Sequence, residues 1–149
     1  MKLLLFAFAL FVSAFGQFSE TAQNTIVEIH NDLRSKVALG EVEIGGTQHS
    51  PATNMIKIRW SPASARTAQN YANTCPDAPS GLPNVGENLY FEYSKKKPTS
   101  LDKFEYRIVV VCHYREMGNV IDDPIYEEGE VCTNCPAFRS CEEETGLCL

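Results

Sequence analysis

The residue pattern predicts an α+β domain closed by a cysteine-rich tail. Two segments repeat apolar or small residues at three- and four-residue spacing, the signature of helices packed on one face. Two others, residues 86–93 and 106–114, are runs of aromatic and β-branched residues. Four of the six cysteines fall within residues 132–149. A chain of 149 residues supports one compact core. With 44% hydrophobic and 21% charged residues it is globular in composition. A net charge of -6 and a pI near 5.0 argue against electrostatic binding to nucleic acid or anionic lipid.

Taken in order, Met1-Lys2 gives a positive start, Leu3 to Val12 is apolar throughout, and Ala14-Phe15-Gly16 places small residues for cleavage before Gln17. Residues 1–16 therefore read as a secretory signal peptide, too short to anchor in a membrane, and no other run is long enough to span one. The destination is extracellular, where an even cysteine count is read as disulfides before metal ligands. Those six are Cys75, Cys112, Cys132, Cys135, Cys141 and Cys148. Asn73-Thr74-Cys75 is the rare cysteine form of a glycosylation sequon, and the usual form is absent.

The first helix is expected over Thr25 to Leu39, with Ile26, Ile29, Leu33 and Val37 on one face and Gly40 at the C-terminal cap. Val42 to Ser50, with Gly45-Gly46, is expected to be a loop. Met55 to Trp60 alternates and leads into Ser61-Pro62, an N-cap and first-turn proline, so a second helix runs to about Asn73. Its Ala63, Ala65, Ala68 and Ala72 suit close packing. Pro76, Pro79, Gly81 and Pro83 mark an irregular loop before the strand at Gly86 to Tyr93. Lys95-Lys96-Lys97-Pro98 reads as a solvated turn. The continuous Ile108-Val109-Val110-Val111 predicts a strand buried on both faces. An acidic loop follows Asn119, and residues 132–149 form a disulfide-stapled tail.

Several motifs then occur in one order. His30-Asn31-Asp32-Leu33-Arg34 with Ala38 and Gly40 is followed by Asn54 to Trp60 and by Ala68 to Cys75. Val85-Gly86-Glu87-Asn88-Leu89-Tyr90 comes next, then Val111-Cys112-His113-Tyr114 with Gly118-Asn119, and Pro124-Ile125-Tyr126 ahead of the tail cysteines. This series resembles the CAP superfamily, the secreted cysteine-rich secretory, antigen 5 and pathogenesis-related 1 proteins, and within it the nematode venom-allergen-like members. The resemblance implies an α/β/α sandwich spanning 17–131 and a hinge-like tail over 132–149. It also implies a gap: family members carry further helix and strand between the Gly-Glu-Asn and Val-Cys-x-Tyr strands, where this chain has only Phe91 to Ile108.

Complete family members hold two His and two Glu in a cleft that takes a divalent metal. Of these only Glu87 matches. Pro79 stands at the place of one histidine, and the other His and Glu belong to the absent segment. No metal and no cofactor are expected. His113-Tyr114 mimics the family's Gly-His-Tyr-Thr-Gln, but Cys112 before it and Gly118-Asn119 after it assign it to the later strand. His113 is thus read as a hydrogen-bonded strand residue, His30 as a buried or capping histidine, His49 as solvated, and Glu87 as a carboxylate serving nearby backbone. No nucleophile motif, phosphate loop or dinucleotide fingerprint is present, so no catalytic residue and no enzyme are expected. In the family the equivalents of Cys75 and Cys112 pair within the absent segment, leaving them orphaned here unless they join each other. By the same resemblance the tail cysteines pair first with third and second with fourth. The expected function is binding, of a sterol or lipid or of an extracellular protein, by a monomer unless Cys75 or Cys112 stays unpaired. The alternative is a non-functional or regulatory splice form.

Overall fold

The computed structural model describes residues 18–94, 106–118 and 120–149. The expected signal peptide and the Lys95 to Pro98 turn lie outside them. Helix α1, Glu20–Ala38, is longer at its start than the apolar spacing predicts, because Ser19 caps it by accepting a hydrogen bond from the Ala22 N–H at 3.2 Å. Gly40 terminates it at φ +71°, and a Cβ there would meet Pro51 at 2.9 Å. The expected loop over Val42 to Ser50 contains a small hairpin, β1 (Glu43–Ile44) with β2 (Thr47–Gln48). Gly45 and Gly46 turn it at φ +61° and +82°, the double left-handed geometry of a tight hairpin.

Helix α2, Pro62–Ala72, starts as the Ser61-Pro62 signal predicts, with the Ser61 hydroxyl accepting from the Ser64 N–H. Strands β3 (Gly86–Ser94) and β4 (Tyr106–Tyr114) pair antiparallel along their whole length, from Gly86 opposite Tyr114 to Ser94 opposite Tyr106. Side chains alternate across this ladder. His113 reaches Thr67 of α2 on one face, and Tyr114 reaches His30 of α1 on the other. The order of layers is therefore α2, sheet, α1. Strands β5 (Cys141–Glu142) and β6 (Leu147–Cys148) form a short ladder in the tail.

The core gathers Ala38, Ala52, Met55 and Leu147, with Val37 and Tyr126 packed against it. Its organiser is the extended stretch 51–58. Ala52 N–H donates to Ala38 O, Cys148 N–H to Met55 O, and Lys57 N–H to Cys148 O. Asn31 is buried because its amide acts as a strand partner, donating to Ile58 O at 3.0 Å and accepting from Ile58 N–H at 2.9 Å. Arg34 Nε donates to Ile56 O at 2.8 Å, and burial lowers the pKa of its guanidinium. The inward face of α1 thus carries Asn31 and Ala38, both buried, with the half-buried Arg34 between them. Of the apolar stripe Val37 packs against the core, whereas Ile29 is 53% and Leu33 60% exposed. A second expectation also fails: β4 is not buried on both faces, since Ile108 is 50% exposed.

The tail is covalently fixed by Cys132–Cys141 and Cys135–Cys148, the pairs the resemblance implies. Ser35 Oγ donates to Thr145 O, and Lys57 pairs with Glu142 at 2.7 Å. Hydrogen bonds from Lys57 and then Thr145 lower the pKa of that partly exposed carboxylate.

Candidate functional site

Glu87 is the second residue of β3 and His113 the penultimate residue of β4, so the register sets them opposite one another. Their side chains meet as His113 Nε2 to Glu87 Oε2 at 2.8 Å, 1% and 7% exposed respectively. The other carboxylate oxygen accepts from the Ser80 backbone N–H at 2.7 Å. Burial opposes ionisation of Glu87, but the Ser80 and His113 hydrogen bonds with the imidazole's charge outweigh it, and its pKa falls below the ordinary 4.5. Expected as a carboxylate serving nearby backbone, Glu87 does so upstream, at Ser80, and holds His113 as well.

Thr67 completes the cluster, its hydroxyl lying 2.8 Å from His113 Nδ1 and 2.9 Å from Ser64 O. One hydroxyl proton serves two acceptors only in turn. If Thr67 donates to Ser64, His113 must donate from both nitrogens; if Thr67 donates to His113, the Ser64 contact is released. Hydroxyl, imidazole and carboxylate thus form a relay in which each donor atom already has a protein partner. Both Glu87 oxygens and both His113 nitrogens carry hydrogen bonds within the protein. Among the described residues the other close set of metal-type ligands is Cys132, Cys135 and Cys148, whose sulfurs are in disulfides.

On the opposite face His30 donates from Nδ1 to Ile26 O at 2.7 Å, and its Nε2 is hydrogen-bonded to the Tyr114 hydroxyl at 3.0 Å. Asn88 donates to the same hydroxyl at 3.3 Å. Burial, then the charge of neighbouring Cys112, raises the pKa of Tyr114. Cys112 shares this α1-facing side, whereas Cys75 follows α2. The two thiols lie on different sides of the sheet, and both are unpaired. His49 stays in the β1–β2 region, its N–H bonded to Val42 O.

A cavity of about 730 Å³ opens between α2 and β4. Ala65, Ala68 and Ala72 form its α2 side, residues 107–111 of β4 make the facing wall, and Phe18 and Trp60 contribute to the lining. Arg66 and Arg107 also line it. Arg107 is ion-paired with Asp77, and its guanidinium lies 4.4 Å over the Phe91 ring, leaving Nε buried without a partner. Sequence reasoning missed Thr67, Ser80 and Arg66 as members of these sites. The signal for Thr67 was present in principle: two nine-residue strands set end to end pair Glu87 with His113, and α2 is the helix available to cover them.

Among the described residues no helix is long and apolar enough to cross a membrane. The chain is 26% identical to a cysteine-rich venom protein of Tityus serrulatus and 21% identical to an Ancylostoma secreted protein of Ancylostoma caninum, over 92% and 85% of its own length. It spans 48% and 42% of those two relatives. Allurin of Xenopus tropicalis is 28% identical, with 91% of each chain covered. The alignment to the Tityus protein runs over 194 positions, longer than the chain itself, so that relative has residues with no counterpart here. Two solved structures share the fold: NaASP2 with Zn2+ (TM-score 0.73, 24% identity, 88% of this chain and 96% of that one) and BmVAL-1 (TM-score 0.77, 21% identity, 89% and 95%). The family model described as CAP, the cysteine-rich secretory protein family, matches residues 27–111, running from α1 through the Glu87 strand into β4, and the chain belongs to that family.

Proposed function

We propose that this CAP protein is secreted and acts by binding rather than by catalysis, with a sterol or other lipid or an extracellular protein as its ligand. The observation that supports the reading is the α2–β4 cavity, whose size falls in the range of ligand sites and whose lining is mostly apolar with a few polar groups. The buried Glu87–His113 pair supports it from the other side. Both carboxylate oxygens carry hydrogen bonds, to Ser80 and to His113, so Glu87 ties β3 to β4 and to the loop before it. On this reading residues 1–16 are a signal peptide, 17–131 the shortened domain and 132–149 the tail. The similarity to an Ancylostoma secreted protein supports a nematode source.

The test is equilibrium binding of a fluorescent sterol and of candidate extracellular proteins to chain secreted from eukaryotic cells. Saturable binding that Ala65→Trp abolishes by filling the cavity is the expected result. Absence of any saturable site rejects it.

A second reading, a non-functional or regulatory splice form, is favoured by the free thiols together with the exposed Ile29, Leu33 and Ile108. A disulfide map separates the two. Secreted monomer with intact tail pairs supports the binding protein, and retained or scrambled product supports the alternative.

A further inference from the structure

Strand β4 is hydrogen-bonded to β3 along one edge; among the described residues no backbone group bonds its other edge. The α2–β4 cavity runs along that open edge. Its wall is five consecutive β4 residues, Arg107 to Val111, from both faces of the strand, and no residue of β3 contributes. Five residues of extended chain span about 17 Å, so the slot has the length and lining of a missing strand.

We propose that this slot accepts an extended peptide segment of another protein, which adds to the sheet as a third strand beside β4. The inference rests on the binding reading above and names the ligand class for the same cavity. A sterol fills apolar volume but offers no groups at strand spacing, whereas an extended peptide supplies alternating N–H and C=O to the unpaired edge. The small side chains of Ala65, Ala68 and Ala72 leave room on the α2 side for larger apolar residues of the guest, every second one pointing there. Arg66 is exposed and has no carboxylate partner among the described residues, so an acidic guest residue complements it. The same charges disfavour a second copy of this chain, since pairing β4 with itself brings Arg66 and Arg107 of both copies into one slot.

The experiment pans a displayed library of eight-residue peptides on the secreted full chain, then resynthesises the winners with alternate amides N-methylated. Winners should alternate apolar and polar residues and include Asp or Glu. Methylating the set of amides that faces β4 should weaken binding about tenfold or more, and methylating the other set should not. Arg66→Gln should weaken it about threefold. Amide hydrogen exchange at Ile108 to Val111 should slow in the complex. Winners indifferent to N-methylation overturn the proposal, as does a dimer in sedimentation that the winners disperse. No enrichment with sterol still bound overturns it and leaves the binding reading intact. Loss of both overturns the two together.

Discussion

The two ends of the molecule are built to different standards. Around the C-terminal end of α1, Leu147 and Cys148 are fully buried and two disulfides tie the tail. There the stretch 51–58 trades backbone hydrogen bonds with α1, the tail and residues 127–134. At the sheet, two strands and one short helix leave a 730 Å³ cavity, an open strand edge and two free thiols. Apolar stripe residues of α1 face solvent beside them. The cavity and the open edge thus lie at the sheet, while every member of the tail core lies outside residues 91–108.

The largest expected effect tests the closed end. Leu147→Ala should cost about 2–5 kcal/mol, since neighbours fixed by disulfides cannot collapse into the cavity, read as a lower urea midpoint. A sheet end that dominates stability would instead leave the midpoint nearly unchanged. Replacing Cys135 and Cys148 by alanine should cost about 2–4 kcal/mol, seen as a fall in melting temperature under non-reducing conditions.

The next effect tests the sheet. Glu87→Gln weakens the hold on the buried His113 and should cost about 1–3 kcal/mol. Because the folded pKa of Glu87 lies below its ordinary 4.5, its contribution is complete above that value and is lost as pH falls through the lowered one. A urea series from pH 6 to pH 3 should show that acid loss in the parent and less of it in the variant. Equal slopes would remove Glu87 from the account. Ser61→Ala should cost about 1 kcal/mol by uncapping α2, measured by the same midpoint.

The smallest effect is the sharpest contrast with sequence logic. Ile29→Ser and Leu33→Ser change residues that the apolar stripe assigns to the core, yet each should shift stability by less than about 0.5 kcal/mol. A loss as large as that of Leu147→Ala would mean the stripe is covered after all.

The local elements were legible because their signals are local. Ser61-Pro62 starts α2, the run Ile108 to Val111 makes β4, and Gly40 ends α1, each through dihedral or capping preferences that neighbours along the chain decide. The hairpin at Gly45-Gly46 carried an equally local signal that composition read as loop. The buried face of α1 was not legible. Asn31 and Arg34 win it by hydrogen-bonding the backbone of Ile56 and Ile58, partners distant in sequence, while Ile29 and Leu33 lack a covering layer. The Glu87–His113–Thr67 relay was hidden for the same reason, since it depends on strand register and on the helix that lies across it.

By itself, then, the sequence determined the two helices, the two long strands, the family and the cysteine-rich tail, because short-range geometry and ordered motifs are written along the chain. Tertiary structure alone decided which face of α1 is buried, where the carboxylate of Glu87 finds its partners, and that β4 keeps an open edge. Burial and pairing are properties of neighbours in space, and the chain order of this shortened domain does not say which neighbours remain.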